Sequence, residues 1–183
     1  MSIRRTGLLV LVILLQVPAA ASATGHDADL SGGGGGAFGS KFWFVHSILA
    51  WPVPTKKHPE RFSVVLSDFS YYNHAKKEGD NLFGYMAGGR LTFAMHTDQE
   101  KGHKRIELSP HALAGVTHTM GGGTAASFAF GGAMDVLMGP HLSSEHGWGV
   151  RVLYDYLVQK GDPHNMQRVS GEVVYQFKRT RHH

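Results

Sequence analysis

No cysteine occurs anywhere in the 183 residues, so disulfides cannot staple this fold, and hydrogen-bonded secondary structure and burial must hold it. Long apolar runs are missing too once the first residues are set aside. The nearest, Phe42 to Trp51, is about half the roughly 20 residues that a spanning helix needs. Charge of one sign is scarce: the formal net charge is +4, and Arg4 and Arg5 supply two of those positives, which leaves too small an excess to argue for nucleic acid. The glycine clusters Gly32 to Gly36 and Gly121 to Gly123 lack the Lys-Ser/Thr that would make a phosphate loop. Thirteen histidines are present, but none falls in the helical two-His motif with its intervening Glu, so no metal and no cofactor is expected. The loop His141-Leu142-Ser143-Ser144-Glu145-His146 holds hydrolase residue types. A nucleophile, base and orienting acid need rigid and separate supports, however, so no catalytic residue and no enzymatic activity is expected.

What is present begins with an export signal. Arg4 and Arg5 open the chain, Gly7 to Leu15 is apolar, and Ala21-Ser22-Ala23 is a small-residue cleavage site, so residues 1–23 read as a signal peptide. Residues 24–40 are polar and then nearly pure glycine; they are expected to be a flexible segment without regular structure. Residues 41–177 carry strand-length segments, and 178–183 form a basic tail expected to be solvated.

The clearest segments come last. Ser127 to Met138 sets Phe128, Phe130, Met134, Val136 and Met138 against Ala129, Gly131, Ala133 and Asp135. Trp148 to Lys160 sets Trp148, Val150, Val152, Tyr154, Tyr156 and Val158 against Arg151, Asp155 and Gln159. The closing segment sets Val169, Val173, Tyr175 and Phe177 against Arg168, Ser170, Glu172 and Gln176. Upstream, Leu82 to Met95 alternates around Arg90, with Phe83, Tyr85, Leu91, Phe93 and Met95 opposite. Ile106 to Thr119 places Glu107, Ser109, His111 and Thr117 on one face, and Pro110 is expected to demote that strand to an edge or bulge. In Arg61 to Tyr72 the alternation puts Val65, Phe69 and Tyr71 on one face and Val64, Leu66 and Asp68 on the other. Phe42 to Trp51 is strand-like but has no readable register. These are seven strands, whereas closed bacterial barrels of this kind have an even number, with eight the minimum.

Strands with one apolar and one charged face suit a soluble sheet or a membrane barrel, depending on which face is inside. Export without cysteine or a spanning helix favours the barrel: apolar groups toward lipid, charges confined to the lumen. The stretches Phe128-Ala129-Phe130-Gly131-Gly132-Ala133-Met134-Asp135-Val136, Val150-Arg151-Val152-Leu153-Tyr154-Asp155-Tyr156 and Arg168-Val169-Ser170-Gly171-Glu172-Val173-Val174-Tyr175-Gln176-Phe177 resemble the small bacterial outer-membrane β-barrel proteins of the opacity and outer-membrane protein A-like type. That resemblance implies an all-β, antiparallel up-and-down transmembrane barrel of about eight strands. Its partners would be outer-membrane lipid and, during biogenesis, the barrel-insertion machinery, although here residues 178–183 follow the terminal aromatic Phe177.

The expectations are then specific. Arg90, Asp135, Arg151, Asp155, Arg168 and Glu172 should form a structural charge network in a filled polar lumen. Phe128, Phe130, Trp148, Tyr154, Tyr156, Tyr175 and Phe177 should face lipid. His74 to Asp80, Met120 to Ala126 and Gly161 to Asn165 should be surface loops, and Pro52 to Glu60, Asp98 to Arg105 and Gly139 to Gly147 periplasmic turns. The function is expected to be that of an outer-membrane scaffold presenting loops for adhesion, interaction or envelope integrity. The alternatives are a soluble periplasmic lipocalin-like barrel with its apolar face inside, binding a small hydrophobic ligand, and a small pore.

Overall fold

The computed structural model describes residues 28–38, 42–53, 62–74, 81–97, 104–138, 146–160 and 165–177. The expected signal peptide at residues 1–23, the expected solvated tail at 178–183 and the loop 141–145 lie outside the described residues. Nine strand segments follow one another: β1 Ala28–Phe38, β2 Phe42–Pro52, β3 Phe62–His74, β4 Leu82–Leu91, β5 Phe93–Thr97, β6 Lys104–Thr119, β7 Thr124–Met138, β8 His146–Gln159 and β9 Met166–Phe177. Successive strands pair antiparallel, β4 and β5 both pair with β6, and β1 pairs with β9 to close the ring. Because β4 and β5 run as one interrupted strand, the result is an eight-stranded up-and-down barrel.

The register sets the tilt. From Gly149 it runs through Val174, Ser31, Ile48, Asp68, Met86, Gly115 and Ser127 and returns to β8 at Gln159, ten residues along. That shift of about 33 Å, spread over eight spacings of about 4.8 Å, tilts the strands by about 40°. An 11-residue strand such as β2 then climbs about 28 Å, enough to cross the roughly 25 Å apolar band of such barrels.

The glycine run is the eighth strand. The expectation of a flexible segment is overturned across Ala28–Phe38, which is hydrogen-bonded to β2 on one side and β9 on the other, so the barrel begins at Ala28. Glycine cannot pack a core, but two ladders hold its backbone without side chains. Close approach also demands it: a Cβ on Gly33 would lie 2.0 Å from the Gly171 carbonyl oxygen, and one on Gly35 would lie 1.8 Å from that of Val169.

Two further expectations are corrected. In β3, Val65 pairs with Gly88 and Asp68 with Met86, so β3 carries one extra residue there, a β-bulge at Leu66-Ser67. The bulge reverses the alternation. Val65, Asp68, Ser70 and Tyr72 point inward, while Leu66, Phe69 and Tyr71 point outward. The Tyr85 hydroxyl donates to the Leu66 carbonyl at 3.2 Å, capping a backbone group at the bulge. Pro110 does not make β6 an edge: β6 is the longest strand and pairs on both sides. The cost of the missing N–H falls on the partner strand, which breaks at Thr92 between the pairs Arg90–His111 and Phe93–Leu108.

Outward positions are apolar along the strands: Leu66, Leu91, Leu108, Met134, Val150, Val152 and Val173 are exposed, as are the mid-strand aromatics Phe130 and Tyr154. Aromatic residues stand toward both strand ends. Trp51, Phe62, Phe93, Trp148 and Tyr175 mark the end where β1 begins and β9 finishes; Phe38, Trp43, Tyr71, Phe83 and Tyr156 mark the other. Inside, charged side chains share the lumen with an apolar cluster that includes Phe44, Tyr72, Leu82, Met86, Leu113, Leu157 and Met166. At the end where β6 and β8 finish, Gln159, Thr117 and Ser127 form a buried hydrogen-bonded chain.

The glycines give a paired test. Gly35→Ala should prevent closure or lower the urea unfolding midpoint in detergent micelles steeply, whereas Gly36→Ala, where a Cβ meets nothing within 4 Å, should migrate on unheated gels like the parent. Equal behaviour of the two would contradict the close approach of β1 to β9.

Candidate functional site: the lumen charge network

Strand alternation delivers the network, and the register organises it into two rows. One runs Glu107, Asp135, Arg151, Glu172, Gly33, His46 across β6, β7, β8, β9, β1 and β2. The other runs Arg90, His111, Gly131, Asp155, Arg168 across β4, β6, β7, β8 and β9. All six charged residues singled out from the sequence lie in these rows, and all are buried.

In the first row Arg151 makes a two-pronged contact with Asp135: its Nε donates to Oδ1 at 2.7 Å and an Nη to Oδ2 at 2.8 Å. Its other Nη donates to Ser31 Oγ at 3.0 Å and lies 3.9 Å from Glu172. Ser31 in turn donates to Glu172 Oε2 at 2.6 Å. In the second row one Nη of Arg168 binds both Asp155 and Asp68, the latter at 3.0 Å. The other donates to Ser70 Oγ at 3.0 Å and Tyr72 Oη at 2.8 Å. Arg90 reaches across the lumen to the Asp29 carboxylate. His46 Nε2 lies 2.9 Å from Glu172 and 3.0 Å from Ser170 Oγ, and His111 Nε2 lies 2.5 Å from Asp155.

Sequence reasoning missed several members. Asp29 lay in the supposed flexible segment, Asp68 was assigned to the wrong face by the unseen bulge, and His46 sat in a run with no readable register. Glu107 and His111 were placed on the polar face of their strand but outside the network. Of the seven aromatics expected on the other face, Phe128, Phe130, Trp148, Tyr154, Tyr156 and Tyr175 are exposed on the outside. The backbone of Phe177 ends β9, but its side chain lies outside the described residues, as does that of His146.

Ser170, His46 and Asp68 have the composition of a nucleophile, base and orienting acid, with 3.0 Å between the first two and 3.7 Å from His46 Nδ1 to Asp68. Their arrangement is structural. Ser170 Oγ donates to Glu172 Oε1 at 3.0 Å, Glu172 also occupies His46 Nε2, and all four side chains are buried, so no substrate carbonyl reaches the hydroxyl. Between the rows, a void of about 10 Å³ is lined by Arg90, His111, Arg151 and apolar neighbours, room for about one water. Among the described residues, no group of three or more candidate ligands is positioned to hold a metal.

No protein-family model and no curated protein matches the chain. Among solved structures, the crystal structure of Neisserial surface protein A is similar, with a TM-score of 0.58 and 13% sequence identity over 83% of this chain and 94% of that one. At that identity the likeness shows the fold, a barrel of the outer-membrane type.

Removing one cation from the network exposes its role. Arg168→Met leaves Asp68 and Asp155 buried without their guanidinium and should cost about 3 kcal/mol or more. Gln167→Ala, at an exposed neighbouring position, should change stability by less than about 0.5 kcal/mol. Urea unfolding in micelles measures both, and a small loss for Arg168→Met would contradict the network.

Proposed function

We propose that this protein is a non-enzymatic outer-membrane scaffold of the opacity and outer-membrane protein A-like type, exported by a cleaved signal peptide spanning residues 1–23. One observation carries the reading: an outward band of aliphatic and aromatic side chains surrounds a core of paired charges. Val173 is 62% exposed and Tyr156 38%, while Arg151 is 1%. Only a solvent of acyl chains makes that distribution favourable, because in water so continuous an apolar exterior would drive association. The same orientation opposes the lipocalin-like alternative, which needs Tyr154 and Tyr156 inside and Arg151 and Glu172 outside.

The filled lumen opposes the pore. Arg151, Arg168 and their acids, together with the Phe44–Tyr72–Met86–Leu157 cluster, occupy the lumen with buried side chains, which favours a sealed barrel over a channel for hydrated ions. Loop presentation is the finer part of the proposal. With the chain ends in the periplasm, the outer connections are residues 39–41, 75–81, 120–123 and 160–165. These are brief for adhesion, and 120–123 is a tight turn in which the Gly122 N–H donates to the Thr119 carbonyl and Gly121 has φ 84°. An envelope-integrity role therefore fits better than adhesion, with lipid as the principal partner and the insertion machinery as a transient one.

The test is refolding of chain lacking residues 1–23. It should require detergent or lipid, give a heat-modifiable β-rich species, and show no steady single-channel current in planar bilayers. A monodisperse folded monomer in plain buffer would overturn the membrane reading, and steady currents would overturn the sealed lumen.

A further inference from the structure

Outward positions of β8 and β1 match as ridge and groove. On β8, Val152, Tyr154 and Tyr156 project from the outer wall and are exposed. On β1 the residues that alternate with the inward Gly33 and Gly35 are Gly32, Gly34 and Gly36, so the outer face there is bare backbone. Between them β9 turns Val169, Gly171 and Val173 outward, and a Cβ on Gly171 or Gly36 would meet nothing within 4 Å. Tyr154 is in register with Val169, and Val169 with Gly36. The shear lifts that line by about 2.5 residues between β8 and β1, so Gly34 stands within about 1.5 Å of the level of Tyr154. Val152 is level with Gly32, and Tyr156 with Gly36, for the same reason. Unspent polar groups mark the same region. The Tyr85 hydroxyl donates to the Leu66 carbonyl and the Tyr156 hydroxyl accepts from Asn165. The Tyr154 hydroxyl, mid-strand where lipid offers no water, has no hydrogen bond among the described residues. Ser47, the register partner of Gly32 on the outer face of β2, is buried with its Oγ unpartnered among the described residues.

We propose that the β8–β9–β1 wall is the face of a two-fold symmetric dimer in the membrane, in which the Val152–Tyr154–Tyr156 ridge of each copy lies in the Gly32–Gly34–Gly36 groove of the other. The inference rests on the outer-membrane reading above, and the occupant is a second copy because the face complements itself. Ridge and groove flank β9 on opposite sides, so a two-fold axis along the membrane normal beside Gly171 carries each onto the other. That rotation keeps every residue at its own level, and the levels agree. Lipid and barrel wall are equally apolar, so burial alone drives nothing; close backbone approach and hydrogen bonds between copies do. Glycine supplies the first. The second comes from the Tyr154 hydroxyl, brought over ladder carbonyls of β1 that no side chain covers and that keep a lone pair outside the ladder. Ser47 lies on the far side of Gly32, so the ridge entering the groove also carries a phenol toward a hydroxyl without a partner. With Phe128 and Phe130 of β7 and Trp43 and Val45 of β2 at its margins, the face is five strands wide. It covers at most about 600 Å² of each copy, the lower edge of what a specific dimer buries, so the dimer is reversible and dissociates as the protein is diluted in lipid.

A chain without native cysteine permits a single-site test in reconstituted bilayers. Gly171→Cys, beside the axis, should cross-link to its own copy through a short bifunctional maleimide about fivefold more than Leu91→Cys on the opposite wall, with a yield that falls on dilution in lipid. Two further changes are each made in the Gly171→Cys chain. Gly36→Phe fills the groove at a position where a Cβ meets nothing within 4 Å in its own copy, and Tyr154→Ala removes the centre of the ridge. Each should lower the yield about fivefold, while heat-modifiable migration shows that the barrel is folded. If Gly36→Phe fails to fold, Tyr154→Ala decides alone. Equal yields at Gly171 and Leu91, or yields indifferent to the filled groove and the lost ridge in folded barrels, would overturn the dimer and leave the membrane reading standing. That reading fails on a different result, a chain that folds as a monomer in plain buffer.

Discussion

Burying ionised groups inside a ring filled by its own side chains is the constraint on which this structure depends. Three arginines and six carboxylates are buried among the described residues, and an unpaired one would cost several kcal/mol. A closed sheet with period-two alternation must send one face inward, and only the charged face can satisfy itself there, because every guanidinium finds a carboxylate on another strand. The apolar face is then committed to the outside. The requirement reaches the backbone as well: short reach across the lumen needs strands without a Cβ at Gly33 and Gly131, so glycine is part of the electrostatics.

The interior mixes charge with apolar packing. Arg90, Arg151, Arg168 and their acids share the lumen with Phe44, Tyr72, Met86, Leu113, Leu157 and Met166. Tyr72 joins the two groups, with its ring among the apolar side chains and its hydroxyl on Arg168. A lumen packed this way is what the proposed sealed scaffold requires, and the brief outer connections are consistent with a role carried by the wall.

Strands β7, β8 and β9 were legible in the sequence because strict alternation and paired charges mark both faces, and the structure puts Asp135, Arg151, Asp155, Arg168 and Glu172 together inside. What escaped did so for physical reasons. β1 has no side chains over Gly32 to Gly36, so no periodicity could announce it. In β2 both faces are apolar or aromatic, which hid His46. One extra residue at Leu66-Ser67 turned Asp68 from the outer face to the lumen, and a bulge leaves no signature in alternation until its partner strand is known. Pro110 was a true irregularity, but its effect fell on the neighbouring strand at Thr92. Leu153, Leu157 and Met166 belong to the apolar cluster inside the lumen, a mixture that residue type alone did not reveal.

Single-cysteine spin labelling tests the orientation most directly, and the absence of native cysteine makes it clean. Labels placed one at a time from Val150 to Val158 of the bilayer-reconstituted barrel should alternate, with dissolved oxygen quenching the even positions strongly and the odd positions weakly. The inverse phase, or even-numbered labels relaxed by a water-soluble nickel chelate instead of oxygen, would contradict a charged lumen inside an apolar wall.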